Sequence, residues 1–393
     1  MINRVILIVM DSVGVGYMPD AYRFNDDGVN TLLHIYQERG ELLIPNLCSL
    51  GMGRIVDVGC SQEQITGCYG KMRELSPSKD TTSGHWEISG VVLDFSFPTY
   101  PDGFPMEIME EFERRIGTKT LGNYPSSGTE ILKKLGADHL RTGYPIVYTS
   151  ADSVFQVAAH EDVVPLEKLY EYCGIARSTL TGDHAVARVI ARPFVGSVGR
   201  FERDNGARKD FSLVPPHETL LDLLKKKGSF VIGVGKIGDI FGHRGLTEEI
   251  HTDDSHDGID KTIESIQKHR NHTGLIFVNL VDFDAVYGHR RNVEGYARAL
   301  EDFDRKIPQI MEVLSKDDVL IITADHGCDP THRVHTDHTR EHVPLLVYGE
   351  MVKRDVDLGT RDTFADCGQT IADMLGAGRL KNGKSFKGEV IRG

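Results

Sequence analysis

Three apolar segments, each followed closely by an aspartate, constrain the fold of this chain most strongly. Residues 5–10 (VILIVM) precede Asp11, residues 275–281 (LIFVNLV) precede Asp284, and residues 319–323 (VLIIT) precede Asp325. Continuous apolar, β-branched runs of this length are typical of parallel strands buried on both faces of a sheet. Because the carboxyl ends of parallel strands share one edge, where α/β proteins bind ligands, the three carboxylates are predicted to converge.

The loop after the third segment is rich in metal-ligand side chains, and His289 follows the second segment. Carboxylates and imidazoles are the ligands that borderline divalent ions accept. Taken singly, each of these residues is also explained as a turn former, a helix cap or a solvated loop residue. Their joint occurrence at three strand ends favours two neighbouring ions. The six candidate ligands are Asp11, Asp284, His289, Asp325, His326 and His338.

A hydroxyl-rich segment, residues 79–87 (KDTTSGHWE), contains a candidate nucleophile. It places Thr81, Thr82 and Ser83 where a helix is able to begin. A hydroxyl there commonly caps the helix, and the helix N-terminus also favours an anion. Metal coordination would activate one of these otherwise weakly nucleophilic oxygens. Thr81 is favoured as the first hydroxyl after Asp80, but spacing does not exclude its two neighbours.

The order of elements predicts an α/β fold with a doubly wound, mostly parallel sheet, because strand and helix patterns alternate on both flanks of the chain. The pattern of strands ending in aspartate is interrupted between residues 98 and 214, which indicates an inserted α+β domain. Residues 1–97 and 215–393 then form the core domain. Several cations of an otherwise acidic chain fall within residues 188–209 of the insert, where they suit either a phosphate or an ordinary solvated face.

Composition excludes some classes of function. The chain has 393 residues and a formal net charge of -13, which gives no electrostatic basis for nucleic-acid binding. The N-terminal apolar run is too short to span a membrane. Six cysteines without a C-x-x-C pair are expected to be reduced thiols of a cytoplasmic protein. Nothing in the sequence indicates a protein partner.

Several long motifs, spread over nearly the whole chain, resemble those of one known family. They are MDSVGVG (10–16), KDTTSGHWEI (79–88), YTSADSV (148–154), IARPFVG (190–196), NLVDFDAVYGHR (279–290), TADHG (323–327) and TDHTREHVP (336–344). The chain resembles the phosphopentomutases of the alkaline phosphatase superfamily. The resemblance implies a phosphatase-like core with two Mn²⁺ ions, an inserted cap that binds a pentose phosphate, and interconversion of ribose 1-phosphate and ribose 5-phosphate or their 2-deoxyribose equivalents.

The same resemblance implies roles for individual residues. Thr81 would carry the phosphate, and a sugar bisphosphate would be an intermediate and a candidate activator. One Mn²⁺ would be held by Asp284, His289 and His338, and the other by Asp11, Asp325 and His326. In the cap, the positions that match residues facing the pentose phosphate are Ser153, Val157, Arg192 and Arg208.

One loop departs from the family pattern. Residues 331–335 (THRVH) contain no glycine and carry two additional histidines, His332 and His335, which stay without a predicted role. Asp329 and Asp337 on the same loop are candidates to orient the imidazole ligands.

Three alternatives to a pentose phosphate mutase stay open at this stage. The same core would serve a phosphohydrolase or a mutase acting on another phosphorylated sugar, because cap loops determine the substrate. A non-catalytic metal-binding protein would need the ligand set without the nucleophile.

Overall fold

The computed structural model describes residues 2–150 and 152–392. They divide into two compact units. Residues up to 95 and from 215 onward form the first unit, and residues 96–214 form the second. Among the described residues, no helix is both long and apolar enough to cross a membrane.

The strands of the described residues are numbered in chain order. They are β1 (Arg4–Met10), β2 (Cys68–Met72), β3 (Leu121–Pro125), β4 (Ile146–Thr149), β5 (Val154–His160), β6 (Arg188–Ser197), β7 (Arg200–Arg203), β8 (Lys209–Ser212), β9 (Phe230–Val234), β10 (Glu248–Ile250), β11 (Gly274–Leu280), β12 (Asp318–Thr323), β13 (Val343–Tyr348) and β14 (Val356–Arg361).

The α-helices are numbered in the same way. They are α1 (Thr31–Arg39), α2 (Pro45–Leu50), α3 (Met52–Ile55), α4 (Thr81–Ile88), α5 (Met106–Ile116), α6 (Gly128–Thr142), α7 (Leu166–Thr179), α8 (Leu220–Lys227), α9 (Ile237–Ile240), α10 (Ser255–Lys268), α11 (Val293–Val313), α12 (Ala365–Met374) and α13 (Lys387–Val390). Short 3-10 segments occupy Ala21–Phe24 and Gly182–His184, and a π-helical segment occupies Phe283–Gly288.

The first unit is built on an eight-stranded sheet in the order β10-β9-β11-β1-β12-β13-β2-β14. The five strands from β10 to β12 run parallel, whereas β13 is antiparallel to both of its neighbours. Every residue of β1, β11 and β12 is buried, as expected for central strands covered on both faces. Helices α1, α2 and α10 pack with α11, while α4 and α8 pack with α12. The α/β prediction with a mostly parallel sheet is confirmed.

The second unit contains a smaller, mixed sheet. Its order is β3-β4-β5-β6-β7, and β8 also pairs with β6. Parallel pairs (β3 with β4, β5 with β6) alternate with antiparallel ones. Helices α5 and α7 pack together, and their apolar residues join those of β5 and β6 in one core that includes Phe112, Phe155 and Leu169.

The prediction of reduced thiols is wrong for two of the six cysteines. Cys48 in α2 and Cys60 form a disulfide, with Cα atoms 5.6 Å apart. A Cβ placed on Gly53 would lie 2.5 Å from the Cβ of Cys60, so the absence of a side chain there lets the two segments approach. This pairing depends on how the chain turns after α2, which cysteine spacing does not reveal. The other four cysteines are free and buried.

A buried ion pair joins the amino-terminal ends of two central strands. Arg4 of β1 lies opposite Asp318 of β12 in the parallel register, and its Nε donates to the Asp318 Oδ1 at 2.9 Å. Its guanidinium also donates to the backbone oxygen of Ile266. Both charged side chains are essentially inaccessible to solvent. Each charge therefore depends on the other for its stability in the core.

Substituting Arg4→Leu should destabilise the protein by about 3–5 kcal/mol, because it leaves the Asp318 carboxylate buried without its cation. The double variant Arg4→Leu/Asp318→Leu should be more stable than the single variant, since no charge is stranded. Urea unfolding followed by circular dichroism measures both. A double variant less stable than Arg4→Leu would contradict this account of the pair.

Candidate metal centre

The parallel register brings three aspartates to one edge of the large sheet. Asp11 directly follows β1, and Asp325 lies two residues beyond β12. Asp284 lies in the π-helical segment that follows β11. Because β1 pairs in parallel with both β11 and β12, all three strands end side by side.

One group of ligand-type atoms is formed by Asp284, His289 and His338. The Asp284 carboxylate lies 3.2 Å from Nε2 of His289 and 3.5 Å from Nε2 of His338. The two imidazole rings are 4.7 Å apart between centroids. Ligands of one ion lie about 3.0–3.4 Å apart when metal–ligand bonds are about 2.1 Å long. The spacing of these side chains therefore suits a shared divalent ion.

A second group surrounds His326. Its Nε2 lies 3.4 Å from the Asp11 Oδ1 and 3.4 Å from the Asp325 Oδ2. The carboxylate of Asp284 also lies within 4.8 Å of the ligand atoms of Asp11 and His326. The structure thus brings all six predicted ligands together, with Asp284 between the two groups.

The carboxylates in this cluster are buried, although hydrogen bonds do not satisfy all of their oxygens. One oxygen each of Asp11, Asp284 and Asp325 is buried and has only neighbouring imidazole nitrogens, at 3.1–3.5 Å, as potential partners among these groups. Burial raises the pKa of Asp11 well above its ordinary value, and the charges of Asp325 and Asp284 raise it further. Buried carboxylates are normally paired or coordinate a metal. These buried oxygens and the neighbouring imidazoles fit divalent cations.

His338 and Asp284 are electrostatically coupled. Burial lowers the pKa of His338, but the charge of Asp284 and a hydrogen bond to it dominate and raise that pKa to about 10. Burial raises the pKa of Asp284, but the charge of His338 and hydrogen bonds from both histidines hold it well below its usual value. Without a metal, a proton on His338 therefore neutralises part of the carboxylate charge.

Backbone carbonyls orient two of the imidazoles. The Nδ1 atoms of His289 and His326 lie 2.6 Å and 3.0 Å from the oxygens of Thr336 and Gly327. These contacts direct each Nε2 toward the carboxylates, as is usual for metal-binding histidines. Asp337 accepts from the backbone N–H of His338.

Thr81 lies against this cluster. It is the first residue of α4, and its Oγ1 is 3.1 Å from Nε2 of His326. The helix approaches closely because a Cβ on Gly84 would lie only 2.3 Å from the backbone oxygen of Asp325. The Asp80 side chain caps the helix by accepting from the N–H groups of Thr82 and Ser83. The capping role thus belongs to Asp80, which leaves the Thr81 hydroxyl facing the carboxylates and histidines.

Two buried polar residues of the centre were not predicted from the sequence. Asn279 in β11 donates to the Asp11 Oδ2 at 2.7 Å. His85 in α4 places its Nδ1 3.1 Å from the Asp325 Oδ2 and 2.9 Å from the oxygen of Thr81. Asn279 could have been noticed in the sequence, because it is a polar residue inside an otherwise apolar strand. The role of His85 depends on how α4 packs against the end of β12.

The two additional histidines of the divergent loop lie outside these groups. His332 and His335 lie beside Asp26, and the three form a separate cluster of ligand-type atoms. Of the two predicted orienting carboxylates, Asp337 lies beside His338, whereas Asp329 contacts the imidazole of His34 at 2.5 Å.

In the second unit, two of the predicted substrate-binding residues are engaged in the fold. Ser153 donates from its hydroxyl to the oxygen of Pro98 and accepts from the N–H of Ala187. The Val157 side chain is fully buried in the core of this unit. Its backbone pairs with Ala191, immediately before Arg192.

The two predicted arginines belong to a cationic group. Arg192 donates to Gln156 and is partly buried. Burial lowers the pKa of Arg192, and the charge of Arg208 lowers it further, so the two guanidinium groups repel each other. Arg208 forms a two-pronged ion pair with Asp210. An anion beside these arginines would relieve part of their repulsion.

Comparisons with known proteins identify relatives along the full chain. A sequence model described as the metalloenzyme superfamily matches residues 218–378. The phosphopentomutase of Caldanaerobacter subterraneus subsp. tengcongensis is 56% identical over 392 residues, covering 99% of this chain and 98% of the relative. The phosphopentomutase of Thermotoga maritima is 57% identical over 387 residues, covering 98% of each chain.

Solved structures show a more distant similarity. The phosphoglycerate mutase of Leishmania mexicana is 12% identical, with a TM-score of 0.49, over 98% of this chain and 97% of that one.

Metal binding should release protons near neutral pH. Because the pKa of His338 is raised to about 10, the metal-free protein carries a proton there at pH 7 that the imidazole would have to lose in order to bind a metal. Mn²⁺ affinity should therefore increase as the pH rises from 6 to 8, and loading should release about one proton or more per chain. Calorimetry in buffers of different ionisation enthalpy measures this release. Affinity that does not change over this pH range would contradict the prediction.

Proposed function

Because this chain belongs to the phosphopentomutase family, and is therefore an isomerase, we propose that it interconverts ribose 1-phosphate and ribose 5-phosphate, and the 2-deoxyribose equivalents. The observation that carries the proposal is the position of the Thr81 hydroxyl, 3.1 Å from His326 and beside the buried carboxylates. Such an arrangement suits phosphoryl transfer, which needs mainly positioning and charge neutralisation.

The six strand-edge residues would hold two divalent ions, for which we favour Mn²⁺ because the resemblance to the phosphopentomutases implies it; carboxylate and imidazole ligands suit Mn²⁺ as well as Zn²⁺. Asp284, His289 and His338 would bind one ion, and Asp11, Asp325 and His326 the other. The bound pair would supply Lewis acidity and neutralise negative charge on a transferring phosphoryl group.

Thr81 suits the role of phosphate carrier better than its two neighbours. The Ser83 hydroxyl is fully buried, and its one proton is shared between Glu74 and the backbone oxygen of Asp80, each 2.9 Å away. Thr82 is also buried, at 7% exposure, whereas Thr81 is partly accessible. A phosphate on Thr81 would lie at the N-terminus of α4, where the helix dipole stabilises negative charge.

The transfer would proceed in two half-reactions, in which phosphoryl groups and protons balance. Phosphorylated Thr81 gives its phosphoryl group to a free hydroxyl of a pentose monophosphate, which forms a sugar bisphosphate and the free threonine. The proton lost by the sugar hydroxyl is matched by the proton that Thr81 gains. Thr81 then takes the other phosphate from the bisphosphate, which releases the isomeric monophosphate. A sugar bisphosphate from solution would prime unphosphorylated enzyme and so act as an activator.

Residues 96–214 would act as a cap that binds the sugar phosphate and excludes water from the phosphoenzyme. Arg192 and Arg208 would contact the phosphate that is not being transferred, since paired guanidinium groups recognise phosphate by two-pronged hydrogen bonds. Val157 would support this site through the strand pairing that places Arg192, and Ser153 would do so through its contacts with Pro98 and Ala187.

Replacing Thr81→Val should abolish isomerisation, with a loss of about a thousandfold or more, because the residue that accepts and donates the phosphoryl group is gone. The matched variant Thr82→Val removes the adjacent hydroxyl and should keep most of the activity. A coupled assay of ribose 5-phosphate formation from ribose 1-phosphate measures turnover, and a parallel assay of inorganic phosphate detects hydrolysis.

Two results would overturn the proposal. Unchanged turnover in Thr81→Val would remove Thr81 from the reaction. Stoichiometric phosphate release by the wild-type protein, without ribose 5-phosphate formed by transfer, would identify a phosphohydrolase. Retained zinc or manganese binding in the Thr81→Val variant would show that the variant still folds.

A further inference from the structure

A third cluster of metal-ligand side chains lies apart from the six residues described above. It contains Asp26, His332 and His335, whose ligand-type atoms all lie within 4.8 Å of one another. Asp26 precedes α1 in a loop, and the two histidines lie on the loop between Asp325 and His338. Nothing in the proposed phosphoryl transfer uses these three residues.

One imidazole of this cluster, that of His332, has a buried nitrogen that no hydrogen bond satisfies. His335 places its Nε2 2.7 Å from the Asp26 Oδ1, which is a hydrogen bond. The Nε2 of His332 lies 3.8 Å from the same oxygen, is buried, and has no hydrogen-bond partner in the described chain. The Asp26 side chain is 0% exposed and that of His332 is 11% exposed. A buried polar atom without a partner is destabilising, so a hydrogen bond between His335 and Asp26 does not account for the position of His332.

The charges around Asp26 leave one of its oxygens for a ligand. Its Oδ2 accepts from the ammonium of Lys79 at 3.1 Å and from the N–H of Arg340 at 2.8 Å. Lys79 also lies 3.7 Å from Asp337. The Oδ1 faces only the two imidazoles among these groups. A cation bound at Oδ1 would therefore not have to displace Lys79.

We propose that Asp26, His332 and His335 bind a third divalent ion of the zinc class. Two imidazole nitrogens and one carboxylate oxygen are a characteristic set for Zn²⁺, whereas Mg²⁺ and Ca²⁺ prefer oxygen alone. The two Nε2 atoms and the Asp26 Oδ1 require only a small adjustment, since ligands of a tetrahedral ion lie about 3.3–3.4 Å apart. Three protein ligands leave a fourth position for water or an external ligand.

The loop that contains His332 and His335 leads to His338 at the metal centre. An ion bound here would attach that loop to the segment around Asp26. His335 lies three residues before His338, and its backbone oxygen accepts from Arg291 at 2.9 Å. Asp26 is linked through Lys79 to the segment that precedes Thr81. The third ion would thus tie together two segments that flank the candidate site without being a ligand set of that site.

The zinc content of the protein distinguishes a bound ion from a simple hydrogen bond between His335 and Asp26. The full-length wild-type protein, dialysed against low micromolar free Zn²⁺, should bind one more ion per chain than the variant His332→Ala/His335→Ala, as measured by plasma mass spectrometry. The matched control His251→Ala removes an exposed imidazole elsewhere and should bind as much zinc as the wild type. Equal zinc content in the wild-type and double-variant proteins would overturn the proposal.

Two further measurements locate the ion and remain informative if the double variant fails to fold. The single variant His332→Ala keeps the hydrogen bond between His335 and Asp26, and it should also bind one ion fewer than the wild type. Crystals of zinc-loaded wild-type protein should show anomalous density between Asp26, His332 and His335. Absence of that density, with density present at the sheet edge, would likewise refute the third site.

Discussion

Three carboxylates are buried side by side at one edge of the large sheet, where their negative charges repel one another. Oxygens of Asp11 and Asp284 lie within 4.8 Å of each other, and Asp325 lies beside them at the same sheet edge. Two like charges at that distance repel by about 3–4 kcal/mol at an effective dielectric constant of 20. Bound cations would relieve this repulsion, and protonated His338 supplies one positive charge when metal is absent.

Other buried polar contacts hold the hydroxyl-bearing helix against this charge. Glu87 in α4 accepts from the N–H groups of Leu75 and Ser76 and from the hydroxyl of Thr363. Arg340, almost fully buried, binds Glu74 and the backbone oxygen of Ser76. The contacts of Arg340 fix the segment before α4 to the residues that follow His338. The helix and the returning loop are thereby positioned together, which explains why Thr81 meets His326 so closely.

The sequence predicted what depends on local pattern, and it missed what depends on how loops meet. Apolar runs ending in aspartate were enough to predict parallel strands and to gather Asp11, Asp284 and Asp325 at one edge. The bond between Cys48 and Cys60 could not be foreseen, because it depends on the turn after α2. The approach of His332 and His335 to Asp26 was hidden for the same reason, since these residues are about 300 positions apart and meet only through loops. A motif match also does not tell whether a side chain faces a ligand or the core. The side chain of Val157, for example, lies in the core of the second unit.

Mass spectrometry can show whether Thr81 carries the phosphoryl group. The protein is incubated with a pentose bisphosphate and Mn²⁺, quenched and digested, and the peptide that contains residues 80–88 is fragmented to locate any phosphate. Phosphate is expected on Thr81, and none is expected on this peptide in the Thr81→Val variant. Phosphate on Thr82 or Ser83, or an unmodified peptide from enzyme that is actively interconverting the two pentose phosphates, would contradict it.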